Sequence, residues 1–273
     1  MLPRRSISVR RDLTRTALTI AGSDPSGGAG IQADLKTFAA HRVYGLSVIT
    51  AVTAQNTVGV TGFEAVSSDL VAAQIETIVS DIRPDAAKTG MLATAAIVEV
   101  VAAAVEDLEI PLLVVDPVMI AKSGDALVDD EALAAMKAEL LPRAFVVTPN
   151  IPEAERLSGV TIRTDADRRE AAKRIVARGP TAAIIKGGHL VSAEIVDLLY
   201  DGHRFLEFRS ERVAGRSTHG TGCTFAAALA ALLALGSSLE EAVPQAQQYI
   251  AGAIRQAPNL GRGHGPMDHF WNY

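Results

Sequence analysis

The chain has 273 residues, 48% of them hydrophobic and 21% charged, with a formal net charge of -5. That apolar content supports a sizeable core and excludes wholesale disorder, while the acidic balance argues against nucleic acid as a main partner, since phosphate backbones bind basic fields. A single cysteine, Cys223, permits no internal disulfide and suits a reducing cytoplasm, and no apolar run reaches the roughly eighteen residues of a membrane span.

Residues 1–16 are Arg-rich, carry one acid (Asp12) and read as a disordered N-terminal arm outside the fold. Residues 17–273 read as one domain. Ala17-Leu18-Thr19-Ile20-Ala21 is a buried strand ending in a loop dense in turn residues, Gly22-Ser23-Asp24-Pro25-Ser26-Gly27-Gly28-Ala29-Gly30. Ile31, Leu35 and Phe38 then share one helical face. Residues 44–52 form a second strand and 59–66 an edge strand or hairpin arm. Ser68 can cap a helix whose apolar stripe is Val71, Ile75, Ile78 and Ile82.

Further strands follow at 86–89, 112–116, 145–148 and 182–186, with helices at 95–105, at 131–140, from 153 and at 165–178. Residues 195–200 and 205–209 flank Asp201-Gly202, a hairpin signal. The last helices span 224–235 and roughly 239–256. Strands alternating with helices imply an α/β fold with a mostly parallel central sheet covered by helices on both faces.

In such sheets ligands bind beyond the carboxyl ends of the strands. Asp116 ends one strand, Thr148-Pro149-Asn150 the next and Lys186-Gly187-Gly188-His189 a third; Ser23 and Asp24 follow the first, and Thr53, Gln55 and Asn56 the second. Each residue also has a plainer reading: Asp116 or Asn150 as a helix cap, Lys186 as a solvated charge. Together they point to a catalytic cleft. A Walker loop, G-x-x-x-x-G-K-[ST], does not occur, and the dinucleotide fingerprint is missing after the first strand. The remaining phosphate site is the start of the penultimate helix, His219-Gly220-Thr221-Gly222-Cys223-Thr224. There the glycines let backbone approach a ligand, and unpaired N–H groups with the helix dipole favour an anion. The same field favours the Cys223 thiolate. The alternative is a glycine-rich turn with an ordinary buried cysteine.

Gly22-Ser23-Asp24-Pro25-Ser26-Gly27-Gly28-Ala29-Gly30-Ile31-Gln32-Ala33-Asp34-Leu35-Lys36-Thr37 and Ala54-Gln55-Asn56-Thr57 resemble the hydroxymethylpyrimidine/phosphomethylpyrimidine kinases of thiamine biosynthesis, in the ribokinase-like superfamily. So do Lys88-Thr89-Gly90-Met91-Leu92, Asp116-Pro117-Val118-Met119, Ala121-Lys122-Ser123-Gly124-Asp125, the segments at Asn150, Lys186 and Gly220, and Gly261-Arg262-Gly263-His264-Gly265-Pro266, all in the family's order.

The resemblance implies a ribokinase-like three-layer α/β/α fold, ATP and Mg²⁺, and phosphorylation of 4-amino-5-hydroxymethyl-2-methylpyrimidine and then of its monophosphate, in a homodimer. It implies that Asp34 and Gln55 hydrogen-bond the pyrimidine, and that Ala29, Thr53, Met91 and Val118 wall the ring. Asp116 and Glu153 would position Mg²⁺. Lys186 would neutralise the transferring phosphate, Asn150 would lie near the nucleotide phosphates, and Gly220, Thr221, Gly222 and Cys223 would form the anion hole, with Cys223 as general base. Thr53 stands where an aliphatic residue is expected, which would make the pocket more polar. The alternatives are a pyridoxal kinase of the same superfamily and a non-catalytic pyrimidine-binding regulator.

Overall fold

The computed structural model describes residues 14–119, 128–188 and 194–273. The arm up to residue 13, the Ala121-Lys122-Ser123-Gly124-Asp125 motif and His189 lie outside these residues. The apolar runs become strands β1 (Thr16–Ala21), β2 (Tyr44–Ile49), β5 (Ala86–Thr89), β6 (Leu113–Val115), β7 (Val146–Val147) and β8 (Ala182–Ile185). A C-terminal hairpin adds β9 (Glu194–Tyr200) and β10 (Phe205–Glu211), completing one eight-stranded sheet ordered β10-β9-β8-β7-β6-β5-β1-β2. Every pair from β2 to β8 is parallel, and only the pairs involving β9 are antiparallel.

Helices α2 (Ser68–Asp81), α3 (Ala95–Asp107), α4 (Asp130–Ala135), α5 (Ile151–Ser158) and α6 (Asp165–Val176) bury their apolar stripes on one sheet face, where Ile75, Ile97, Leu133, Leu157 and Ile175 meet Leu18 and Ile20. On the other face lie α1 (Gly30–Ala40), α7 (Thr221–Ala234) and α8 (Leu239–Arg255), packed on Ala17, Val114, Val146 and Ile184. Helix α7 is apolar all round and buried along almost its whole length, which marks it as the central element of its layer.

Four boundaries differ from the sequence reading. Strand β1 begins at Thr16, inside the segment assigned to the arm, because Asp85 accepts the Thr16 N–H at 2.8 Å and pairs with Arg15 at 2.7 Å. The strand read over 44–52 breaks at Thr50, whose N–H donates to Ala21 O and whose hydroxyl donates to Met91 O at 2.6 Å. Its continuation, β3 (Ala51–Gln55), leaves the main sheet and pairs antiparallel with β4 (Val60–Ala65) as a separate ribbon. Ser67, not Ser68, caps α2 by accepting the Leu70 N–H. Helix α4 gives way after Ala135 to a π turn over Met136–Leu140 and a 3-10 turn at Leu141–Arg143, where Pro142 cannot continue an α-helical ladder.

Candidate active site

The carboxyl ends of β1, β5, β6, β7 and β8 meet the start of α7 around one cavity of about 570 Å³. Just beyond the ends of β6, β7 and β8 it is lined by Asp116, Asn150 and Lys186, with Glu153 from the first turn of α5. The start of α7 contributes Gly220, Thr221, Gly222 and Cys223. Ala29, Thr53, Gln55, Met91 and Val118 line the end on the β1 side. Every residue given a site role in the sequence reading lines this cavity except Asp34; of the other strand-end residues, Asn56 and Thr148 do not.

Gly220 has φ +78, and a Cβ there would lie 1.9 Å from Gly28 O, so only glycine fits this turn. The turn seats the first peptides of α7 against the ion pair of Lys186 and Asp116 (Nζ–Oδ1 3.1 Å). A Cβ on Gly222 would be 3.4 Å from Lys186 Nζ and 3.8 Å from Asp116 Oδ2, so a ligand at this helix start meets both groups. Burial alone would discharge Lys186, but Asp116 and Glu153 outweigh it and raise its pKa above the ordinary lysine value. Burial lifts Glu153 to about 7 against the pull of Lys186, with Asp116 adding to the rise. Asn150 does cap α5, accepting the Glu153 N–H at 2.9 Å while its own N–H donates to Glu153 Oε2 at 2.8 Å. The cap reading and the cavity reading of Asn150 therefore both hold. Asp116 caps no helix among the described residues; its Oδ1 accepts from Lys186.

Asp116 Oδ2 is buried and has no hydrogen-bond partner among the described residues. An orphaned carboxylate oxygen beside an anion site suits a divalent cation, and Glu153 offers a second carboxylate. Among the described residues no group of three or more Asp, Glu, His or Cys could cage a metal. Mg²⁺ fits that arrangement, since it binds through one or two carboxylates and takes its other ligands from phosphate and water.

Three sequence expectations need correction here. Asp34 does not face the cavity: it sits on the buried side of α1, fully shielded, where its Oδ2 accepts from Lys88 Nζ at 2.8 Å and Thr19 Oγ1 at 2.6 Å. The Cys223 thiolate is not favoured either. Burial pushes the thiol up to about 11; Lys88 pulls it down, but Asp116 and Asp34 push it further up. Desolvation outweighs the helix terminus. Thr53 does not make the wall polar, because its hydroxyl is satisfied by Ser23 O at 2.8 Å.

Three residues of the site, Asp24, His219 and Lys88, were given no role of their own in the sequence reading, although Asp24 was placed at the cleft. Asp24 accepts from the Ser26 N–H, the Ser26 hydroxyl and the Ala29 N–H at 2.8–2.9 Å, and lies 2.8 Å from His219 Nε2. Burial would raise its pKa, yet these bonds, His219 foremost, lower it to about 2. His219 in turn lies 3.3 Å from the Gln55 amide. The signal was the Asp-Pro-Ser turn, whose aspartate bonds its own backbone two residues on. Lys88 floors the cavity, and its signal was a charge inside an apolar strand. The segment 261–266 closes over this end: the Gly263 N–H donates to Thr57 Oγ1 at 3.3 Å and the His219 N–H to Gly265 O at 3.2 Å.

The sequence model of the family described as Phosphomethylpyrimidine kinase matches residues 24–268. The chain belongs to the phosphomethylpyrimidine kinase family. It is 48% identical over 255 residues to the hydroxymethylpyrimidine/phosphomethylpyrimidine kinase of Bacillus subtilis, covering 93% of this chain and 94% of that one. It is 50% identical to the thiamine biosynthesis bifunctional protein ThiED of Geobacter sulfurreducens, of which it spans about half (52%). The pyridoxal kinase of Staphylococcus aureus, solved with pyridoxal and with ADP, superposes with a TM-score of 0.87 at 40% identity, covering 94% of both chains. The chain has the ribokinase-like α/β/α architecture expected from the motifs.

Proposed function

We propose that this phosphomethylpyrimidine kinase family member transfers the γ-phosphoryl group of ATP to the hydroxymethyl group of 4-amino-5-hydroxymethyl-2-methylpyrimidine, and then phosphorylates the monophosphate to the diphosphate. The observation that carries this reading is the single cavity in which the Lys186–Asp116 pair and the start of α7 lie beside the wall made by Gln55, Met91 and Thr53. Phosphoryl transfer needs positioning and charge stabilisation more than covalent chemistry. Backbone N–H groups of residues 220–223 hold the developing anion, and Lys186 neutralises it as it moves. Asp116 and Glu153 would hold Mg²⁺, which would supply positive charge to the nucleotide phosphates. Asn150 stands next to the nucleotide phosphates. Gln55 offers a donor and an acceptor to the aminopyrimidine edge. Burial keeps the Cys223 thiol neutral, so the alcohol proton passes late to an oxygen of the transferred phosphoryl group, in a loose transition state.

A second reading, pyridoxal kinase, draws support from the likeness to the Staphylococcus aureus enzyme. Exposed Tyr44, Val52 and Phe63 on β2, β3 and β4 favour a homodimer, which sedimentation would test. Incubation with the pyrimidine alcohol, ATP and Mg²⁺ followed by mass analysis should give the monophosphate and then the diphosphate. No phosphorylated pyrimidine, with pyridoxal phosphate formed in a parallel reaction, would overturn the first reading in favour of the second.

A further inference from the structure

Lys186 is clamped through its backbone from both sides. Its N–H donates to Pro149 O at 2.9 Å, and the next N–H, of Gly187, donates to Asp197 Oδ1 at 2.8 Å. Asp197 lies in the middle of β9, 4% exposed, and its other oxygen accepts from Gln247 Nε2 on α8 at 2.8 Å. The Gln247 amide is itself tied to Phe208 O on β10 at 3.3 Å. Gly187 is pressed so closely on β9 that a Cβ would fall 2.2 Å from Val196 O. A buried carboxylate is costly to keep. This one has a neutral donor on each oxygen, the Gly187 N–H and the Gln247 amide.

We propose that Asp197 and Gln247 are positioning residues for phosphoryl transfer: through the Gly187 N–H they hold the backbone of Lys186 so that its ammonium stays on Asp116 and the start of α7. This rests on the role given to Lys186 above. A lysine side chain has four rotatable bonds, so its head is placed only if its Cα is. Strand β8 ends at Ile185, and beyond it the ladder is reduced to one isolated parallel bridge between Lys186 and Asn150. The bonds from Pro149 and Asp197 take over at that point. Displacing a reacting group by about 1 Å can cost on the order of 100-fold in rate.

The test is a double-mutant cycle with steady-state kinetics for ATP and the pyrimidine alcohol. Asp197→Ala should lower kcat by roughly 10- to 100-fold and move either KM by less than about three-fold. Asp197→Asn, which keeps an acceptor for Gly187, should restore kcat to within about three-fold of wild type. In a Lys186→Ala background Asp197→Ala should cost less than about three-fold more, because the group it positions is gone. If Asp197→Ala does not fold, Gln247→Met enters the same cycle with the same expected non-additivity. Full additivity, or a loss confined to the KM for ATP, would overturn the proposal and make Asp197 a nucleotide contact. Wild-type kcat in Lys186→Ala would remove the lysine's role, and the positioning role with it. A low kcat in Lys186→Ala with full kcat in a folded Asp197→Ala would overturn the positioning role alone.

Discussion

Lys88 Nζ lies 2.8 Å from Asp34 Oδ2, and both side chains are wholly shielded from solvent. Burial alone would discharge Lys88, but Asp34 outweighs it and holds the pKa above the ordinary lysine value. The pair joins α1 to β5 under the floor of the cavity, with Thr19 of β1 on the same carboxylate oxygen. Lys88→Met should therefore lower stability in urea by about 3–5 kcal/mol, since it strands a buried charge. Lys88→Met with Asp34→Leu should recover most of the loss. In Asp34→Asn the melting temperature should fall while the KM for pyrimidine stays near wild type. A large KM change in a stable Asp34→Asn protein would return Asp34 to the pocket wall.

Cys223 provides a second test, because a thiol raised to about 11 is mostly protonated at neutral pH. Its alkylation by iodoacetamide should be slow at pH 7.5 and rise about ten-fold per pH unit toward 11, since the thiolate is the nucleophile. Cys223→Ala should lower turnover by less than about ten-fold. A loss of about 10²–10⁴-fold would instead restore the general-base role.

Gln55 reads the substrate if the amide beside His219 turns toward the pyrimidine. Gln55→Leu leaves a polar partner unpaired, at about 1–3 kcal/mol, so the KM for pyrimidine should rise about ten-fold or more while that for ATP holds. Equal KM values in the two proteins would place Gln55 outside substrate recognition.

His269 sets a limit on acid stability. Burial, with Lys36 second, lowers its pKa from 6.5 to about 4. Its Nε2 lies 3.2 Å from Thr224 Oγ1 on α7, and the Tyr249 hydroxyl donates to its carbonyl. The folded protein keeps this imidazole neutral, whereas the unfolded chain protonates it below about 6.5. Its contribution is present above 6.5 and is lost as pH falls toward 4, at a cost of about 3 kcal/mol. Unfolding midpoints measured between pH 7 and 4 should fall more steeply for wild type than for His269→Gln. Parallel curves would show that another group governs the acid limb.

Most of the sheet was legible in the sequence because buried parallel strands are apolar on both faces and end abruptly at Gly, Pro or a charge; Val114, Ile184 and Ile20 show this. The break at Thr50 was not, because its cause is the carbonyls of Ala21 and Met91, brought there by other strands. Asp116, Asn150 and Lys186 could be read since strand ends share an edge. Asp34 could not, because its motif says nothing of which side of α1 meets β5. Cys223 was misread for the converse reason: its position at a helix start is local, while its burial, and the carboxylates of Asp116 and Asp34 that add to the rise, come from distant parts of the chain. The Asp197–Gln247 contact spans 50 residues and leaves no periodic trace.

The bond from Gly263 to Thr57 joins segments 206 residues apart. A nascent chain has made every strand of the sheet before residues 261–266 exist, so the wall that carries Gln55 and His219 is finished last. Contacts of such long sequence separation form late, because the chain must be closed before they are gained. Pyrimidine affinity during refolding is therefore a clock for that final closure, running behind the far-ultraviolet signal of sheet and helices.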